Sequence, residues 1–358
     1  VTGVQTCALP ICKMKLAVVL FNLGGPDSLA AVRPFLQNLF SDRAIIALPG
    51  IVRLPLAWFI AKQRTPISSQ MYADIGGKSP IVEETQAQGQ ALEAALQASG
   101  HDAKCFIAMR YWRPFTDEAV QAVKAWQPER VVLLPLYPQF STTTTQSSLR
   151  AWREAARKAG LSAPARGVCC YPDARGFAAA LAQLTAAALD KAKSGISYRV
   201  LFSAHGLPKR TVDRGDPYQI QVERSVTAAV AVLKRPGLDY TICYQSRVGR
   251  LEWIGPATER EIERAGQEGK GLVVVPVAFV SEHSETLYEL DILYGDLARR
   301  SGVPDYIRAP AVRTEPQFIS ALVAAVNGAL SSTGLQNCAG ARLCPAGRTC
   351  AYGEPAHA

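Results

Sequence analysis

Residues 198–208 read YRVLFSAHGLP, and residues 15–26 read KLAVVLFNLGGP. Each is a short, mainly apolar run of strand length that stops at a glycine and proline loop. Such a run suits a strand buried on both faces, as in a parallel sheet, better than one with a wet face. Two more runs share the pattern: RVVLLPL (Arg130–Leu136), after a helical stretch at Asp117–Trp126, and GLVVVPVAF (Gly271–Phe279), before a polar helix start at Ser281. A helix is expected from Ser28 to Phe40. VLFNLGGP resembles VLFSAHGLP at an offset of 181, and VVLLPLYPQFSTTTT from Val131 resembles LVVVPVAFVSEHSET from Leu272 at an offset of 141. Unequal offsets point to duplicated architecture with divergent insertions. Strands alternating with helices imply an α/β fold with a parallel sheet in each half. Ligands of such sheets sit beyond the carboxyl ends of the strands, where His205 and Ser281–Glu289 fall.

The composition is that of a globular protein: 358 residues, 48% apolar, 19% charged, net charge +9. This excludes disorder, collagen-like repeats and coiled coil. The length allows about two domains of ~150 residues. No run of ~20 apolar residues could span a membrane. The basic balance favours an anionic partner, but Lys and Arg are scattered, which disfavours nucleic acid. Residues 1–13 read as a non-native leader. Val1–Ile11 (VTGVQTCALPI) looks like a translated sequencing-adapter oligonucleotide and lacks signal-peptide regions, so Met14 is the expected start. Without residues 1–12, seven of nine cysteines remain, and the expected compartment is the cytoplasm, where thiols serve metals or catalysis more often than disulfides.

Nucleotide motifs fail. Gly77-Lys78-Ser79 would need its first P-loop glycine at position 72, which is Tyr72, and no G-x-G-x-x-G follows a strand. Of four histidines, His205 and His283 each follow a buried strand directly, and imidazole can accept protons or bind a divalent metal. Glu282, Glu285 and Glu289 would share one helical face beside His283, a row able to carry protons or a cation; a solvated helix start is the plainer alternative. Arg110, Tyr111, Tyr137 and Trp253 fall near strand ends, where aromatic rings stack on flat ligands and guanidinium pairs with carboxylates. Ile45–Ala61 (IIALPGIVRLPLAWFIA), flanked by Arg43, Lys62 and Arg64, reads either as core or as an exposed apolar lip for lipid. Cys338, Cys344 and Cys350, spaced C-x5-C-x5-C, suggest soft-metal ligation, with a fourth thiol from Cys105, Cys169, Cys170 or Cys243; Cys169-Cys170 is preferred, and a loose tail is the alternative.

Taken in order, LFNLGGP (Leu20–Pro26), IGGKSPI (Ile75–Ile81), MRYWRP (Met109–Pro114), LPLYPQFSTTTT (Leu134–Thr145), LFSAHGLP (Leu201–Pro208), RGDPY (Arg214–Tyr218), YQSRVGRLEWIGP (Tyr244–Pro256) and SEHSETLYELD (Ser281–Asp291) resemble the ferrochelatases of bacterial type, from about Lys15 to Leu330. The resemblance implies two Rossmann-like domains, 14–175 and 176–330, each a parallel sheet flanked by helices, with a porphyrin cleft between them and a cysteine tail at 331–358. It implies a lyase that inserts Fe²⁺ into protoporphyrin IX as the last step of haem biosynthesis, without a nucleotide. His205 and Glu285 match the catalytic pair; with His283 and Glu289 they form the expected metal path. Leu23, Arg110, Tyr111, Tyr137, Ser141 and Trp253 match porphyrin-lining positions. The 45–61 lip matches the region that borders the cleft mouth and touches the inner face of the cytoplasmic membrane, in a monomer or homodimer. Some members hold a [2Fe–2S] cluster with three tail cysteines and one internal cysteine in the Tyr-Pro-Gln loop. Here Thr142 stands at that place, so Cys338, Cys344 and Cys350 are expected to be joined by Cys169 or Cys170. The readings set beside this one are coproporphyrin III as substrate, a chelatase for another metal or tetrapyrrole, and a non-catalytic porphyrin or haem carrier.

Overall fold

In the computed structural model of the chain, the described residues are 14–358 apart from 248, 250, 333, 338–341, 346, 347, 350, 352, 355, 357 and 358. The proposed leader, Cys338 and Cys350 therefore lie outside the described residues.

The strands are β1 (Lys15–Asn22), β2 (Asp102–Met109), β3 (Arg130–Pro135), β4 (Ala165–Cys170), β5 (Tyr198–His205), β6 (Tyr240–Gln245), β7 (Gly271–Pro276), β8 (Tyr306–Arg308) and β9 (Leu335–Asn337). They form two sheets, ordered β2-β1-β3-β4-β9 and β6-β5-β7-β8, and every pairing is parallel. The helices are α1 (Val32–Ser41), α2 (Gly50–Asp74), α3 (Ile81–Ala98), α4 (Thr116–Trp126), α5 (Thr145–Ala159), α6 (Arg175–Leu189), α7 (Lys209–Asp213), α8 (Tyr218–Leu233), α9 (Thr258–Gln267), α10 (Tyr294–Arg300) and α11 (Pro316–Leu330). The four apolar runs of the sequence are β1, β3, β5 and β7. The interior strands β1 and β3 of the first sheet, and β5 and β7 at the centre of the second, are buried almost throughout, which is why their sequences show no alternation.

Three boundaries differ from the sequence reading. The run at Gly271 ends as a strand at Pro276, which has no N–H for the ladder, and the Val277 N–H beyond it still reaches the Ser203 carbonyl (2.9 Å). The helix expected at Ser281 begins at Glu285 and is π-wound to Leu293 before passing into α10. Glu282 thus precedes the helix, and its carboxylate turns to the Arg308 guanidinium (2.6 Å) and the Ala311 N–H (3.0 Å). The tail adds β9 to the edge of the first sheet, beside β4. A three-residue strand has no periodicity to read.

Polar contacts join the two sheets' surroundings. Gln88 of α3 donates to the carbonyls of Val280 and Arg313, and Arg313 pairs with Glu84. Gln139 donates to Ser225 and to the Val277 carbonyl. Asp216 accepts hydrogen bonds from the Ser141 hydroxyl and from both the N–H and hydroxyl of Thr142.

Candidate active site

β5 ends on His205. The next residue must be glycine: a Cβ at Gly206 would meet the Gln245 carbonyl oxygen at 2.8 Å and the Trp253 ring at 3.3 Å. This close approach sets the turn that presents the imidazole. Glu285 comes from the first turn of the π-helix. Its Oε2 lies 3.0 Å from His205 Nδ1, with a little over a third of each side chain exposed. Burial pushes the Glu285 carboxyl up, but His205 outweighs it and brings it down to about 2. Burial also opposes the imidazolium, and Glu285 outweighs that too, raising His205 above its ordinary value of 6.5. An ionised carboxylate only accepts hydrogen bonds, so Nδ1 carries the proton in this contact and Nε2 is the titrating atom.

His283 behaves differently. Its Nδ1 accepts the Glu285 N–H at 3.0 Å, which leaves the neutral ring protonated on Nε2. Burial lowers its basicity. The Phe279 ring stands edge-on to it (4.7 Å between centroids) and edge-on to His205 (6.4 Å). Phe279 thus touches both imidazoles.

The Glu289 carboxylate is taken up by four donors: Gln245 Nε2 (3.0 Å), Ser246 N–H (2.7 Å), Ser246 Oγ (2.5 Å) and Tyr294 OH (3.0 Å). Burial, with the nearby Glu285 charge, raises its carboxyl all the same. Gln245 also donates to the Glu285 carbonyl and accepts from Ser203. The π-helix is therefore anchored to the end of β6. Among the described residues no three His, Cys, Asp or Glu side chains converge as a ready metal cage.

The residues expected to line a porphyrin form a second group. Arg110 and Tyr111 follow β2. The guanidinium lies over the Tyr111 ring (5.2 Å), pairs with Asp42 (2.8 Å) and donates to Ser147. Tyr111 is buried and donates to Asp42. Leu23 packs with Tyr111 and Tyr72 in one apolar cluster. Tyr72 reaches back to the first group, its hydroxyl 3.5 Å from Ser284 Oγ. Tyr137 is buried with Ser148 beside its hydroxyl, and the Trp253 indole N–H finds no partner among the described residues. Ser141 is buried on Asp216. Sequence reading singled out neither Asp42, Tyr72 nor Phe279. Gln245, Ser246 and Asp216 lay inside quoted motifs without an assigned role. Asp42 carries no local signal, because the hydroxyls that meet its Oδ2, those of Tyr111 and Ser147, are 69 and 105 residues away.

Of the cysteines, Cys105 and Cys243 are pushed up by burial, Cys243 to about 12. Cys344 folds back toward β4. The Gln221 amide donates to Cys344 Sγ at 3.2 Å and to Cys170 Sγ at 3.6 Å, and Cys169 Sγ is 3.5 Å from Cys170 Sγ. The Thr142 hydroxyl is engaged by Asp216 instead.

The sheets and the imidazole–carboxylate pair beyond the strand ends define an α/β protein of two parallel sheets whose candidate site lies at the carboxyl end of the second. The fold is shared with the sirohydrochlorin chelatase SirB of Bacillus subtilis subspecies spizizenii in complex with cobalt, at a TM-score of 0.50 and 12% identity over 88% of this chain and 95% of that one. The chain belongs to the ferrochelatase family. The family model for ferrochelatase matches residues 15–330. The ferrochelatase of Phenylobacterium zucineum is 55% identical over 335 residues, covering 93% of this chain and 96% of that protein. That of Caulobacter vibrioides is 54% identical over 314 residues, covering 87% and 89%. Ferrous iron is thus a substrate, and the chemistry is metal insertion into a porphyrin.

Proposed function

We propose that this protein inserts Fe²⁺ into protoporphyrin IX, giving protohaem and two protons. The observation that carries the reading is the His205–Glu285 pair. Insertion needs a base for the pyrrole N–H protons, and His205 Nε2 is a base backed by an ionised carboxylate at Nδ1. A flat macrocycle hides its nitrogen lone pairs, so binding must bend it. Arg110, Tyr111, Tyr137, Leu23, Ser141 and Trp253 are the proposed wall against which it is held, and His283 and Glu289 flank the path for protons or metal. The particular porphyrin is argued from the lip. α2 buries only Ala57, Ala61 and Tyr72. It exposes Ile51 (86%), Val52, Leu54, Trp58 and Phe59 (57%), and Arg33 and Lys62 lie over Trp58. No helix among the described residues is long and apolar enough to cross a membrane. An apolar face rimmed by cations suits contact with an anionic bilayer surface, and a porphyrin with two carboxylates partitions there better than one with four.

Cys170 and Cys344 share one amide donor, so the tail returns a thiol to β4 as a [2Fe–2S] cluster would require; they fit as two ligands, with Cys338 and Cys350 outside the described residues. Such a cluster would act as a staple between tail and sheet. Anaerobic iron insertion, with protoporphyrin IX and coproporphyrin III offered separately, tests the substrate. Faster turnover of protoporphyrin is expected. Faster turnover of coproporphyrin overturns the choice of porphyrin, and binding without turnover of either overturns the catalytic reading.

A further inference from the structure

Asp42 is the C-cap residue of α1, at the point where the chain leaves for the lip. Its side chain is almost wholly buried, 3% exposed. The two carboxylate oxygens face different parts of the molecule. Oδ2 accepts the Tyr111 hydroxyl (3.0 Å), the Ser147 hydroxyl (2.6 Å) and the Arg110 guanidinium (2.8 Å). Oδ1 accepts the Ala44 N–H (2.9 Å) at the root of the lip and is 3.4 Å from the Arg150 guanidinium. Burial disfavours the charge, but the Ala44 N–H, Ser147 and Arg110 outweigh it and hold the carboxyl below its ordinary range.

A buried carboxylate with partners on both oxygens is expensive unless all are kept. Ordinary core packing would not select it. Its partners explain it: Arg110 and Tyr111 on one side, the segment leading into α2 on the other. Ser147 completes the arrangement, since its hydroxyl donates to Asp42 and accepts from Arg110 Nε (2.8 Å).

We infer that Asp42 is a positioning residue for porphyrin binding, a joint that sets Arg110 and Tyr111 with one oxygen and fixes the root of the lip with the other. The inference rests on the reading that Arg110 and Tyr111 line the porphyrin site. An amide cannot replace it, because Asn offers one acceptor and one donor where both sides supply donors.

The test uses the full chain, with protoporphyrin IX as probe, and measures porphyrin KM, kcat and melting temperature for Asp42→Asn, Ser147→Ala, Arg110→Ala and the Asp42→Asn/Arg110→Ala double variant. Arg110→Ala is expected to raise KM about tenfold, the scale of one charge-assisted contact, with kcat within about threefold. Asp42→Asn should match it, and the double variant should be no worse than either. Ser147→Ala should give a smaller rise in the same direction. It decides the matter alone if Asp42→Asn does not fold. If Arg110→Ala leaves KM unchanged, the site reading fails. If Arg110→Ala raises KM while Asp42→Asn (or, should that not fold, Ser147→Ala) lowers only the melting temperature, the positioning role fails and Asp42 is structural.

Discussion

His205 Nδ1 and Glu285 Oε2 stand 3.0 Å apart although 80 residues separate them in the chain. One closes a strand and the other opens a π-helix. The contact exists because β5 and β7 are neighbours and the segment after β7 turns back over the end of β5. It makes the histidine a stronger base and leaves its second nitrogen as the one that titrates.

His205→Ala therefore removes the proposed base and leaves the proposed porphyrin wall. Iron insertion should fall by at least about a hundredfold, the ordinary contribution of a positioned base, while protoporphyrin binding, followed by fluorescence, changes little. Loss of both in parallel would mean that His205 serves binding rather than proton transfer.

The pair also fixes a pH dependence. His205 is raised above 6.5 by Glu285 once burial is overcome, and Glu285 is brought to about 2. A histidine raised in the folded state stabilises the fold below its unfolded value and loses that contribution as pH rises through the raised one. The carboxylate's share is present above 4.5 and is lost toward 2. Proton abstraction needs neutral His205, so kcat should rise with pH through a value above 6.5. In Glu285→Gln, burial acts without its counterweight, and NMR titration of His205 should report a midpoint below 6.5. An unshifted midpoint would show that the carboxylate does not set the base.

Much of this was legible in the sequence, for physical reasons that can be named. β1, β3, β5 and β7 are strands buried on both faces, so each announces itself as an apolar run, and the histidine after β5 follows from where such sheets hold ligands. What stayed hidden depends on contacts distant in the chain. Nothing near Asp42 predicts that Tyr111 and Ser147 will meet on one oxygen. The π-winding at Glu285 has no helical-period signature of its own, so Glu282 was placed on a shared face that it leaves for Arg308. β9 is too short to show a pattern. Residue types and motif order pointed to His205 and Glu285, which the fold brings within 3.0 Å, but the packing around Tyr111 and Ser141 required the fold.

The cysteine geometry separates two adjacent thiols. Cys170 shares the Gln221 amide with Cys344, whereas Cys169 meets Cys170 itself. Protein purified anaerobically should be red-brown with two irons per chain for a [2Fe–2S] cluster, about two by elemental analysis. Cys170→Ser should abolish the visible absorption, and Cys169→Ser should retain it. The reverse pattern would exchange their roles, and a colourless wild-type protein free of bound iron would remove the cluster from the proposal.

The lip gives the last expectation. Ile51 projects almost fully from α2, and Phe59 and Trp58 continue the exposed apolar surface two turns on. Insertion of one such side chain into the acyl boundary is worth about 1.5–3 kcal/mol, and a carboxylate in its place is repelled by anionic headgroups. Ile51→Glu should weaken cosedimentation with vesicles of mixed neutral and anionic phospholipid by about tenfold or more. Raising the salt should weaken the wild type further, because Arg33, Arg43 and Lys62 would supply the electrostatic part. Since Ile51 is almost fully exposed, the variant's melting temperature should hold within about 2 °C, the range of a neutral surface change. Vesicle binding indifferent to both the substitution and salt would mean that α2 does not face lipid, and the argument for protoporphyrin would then lose its lip.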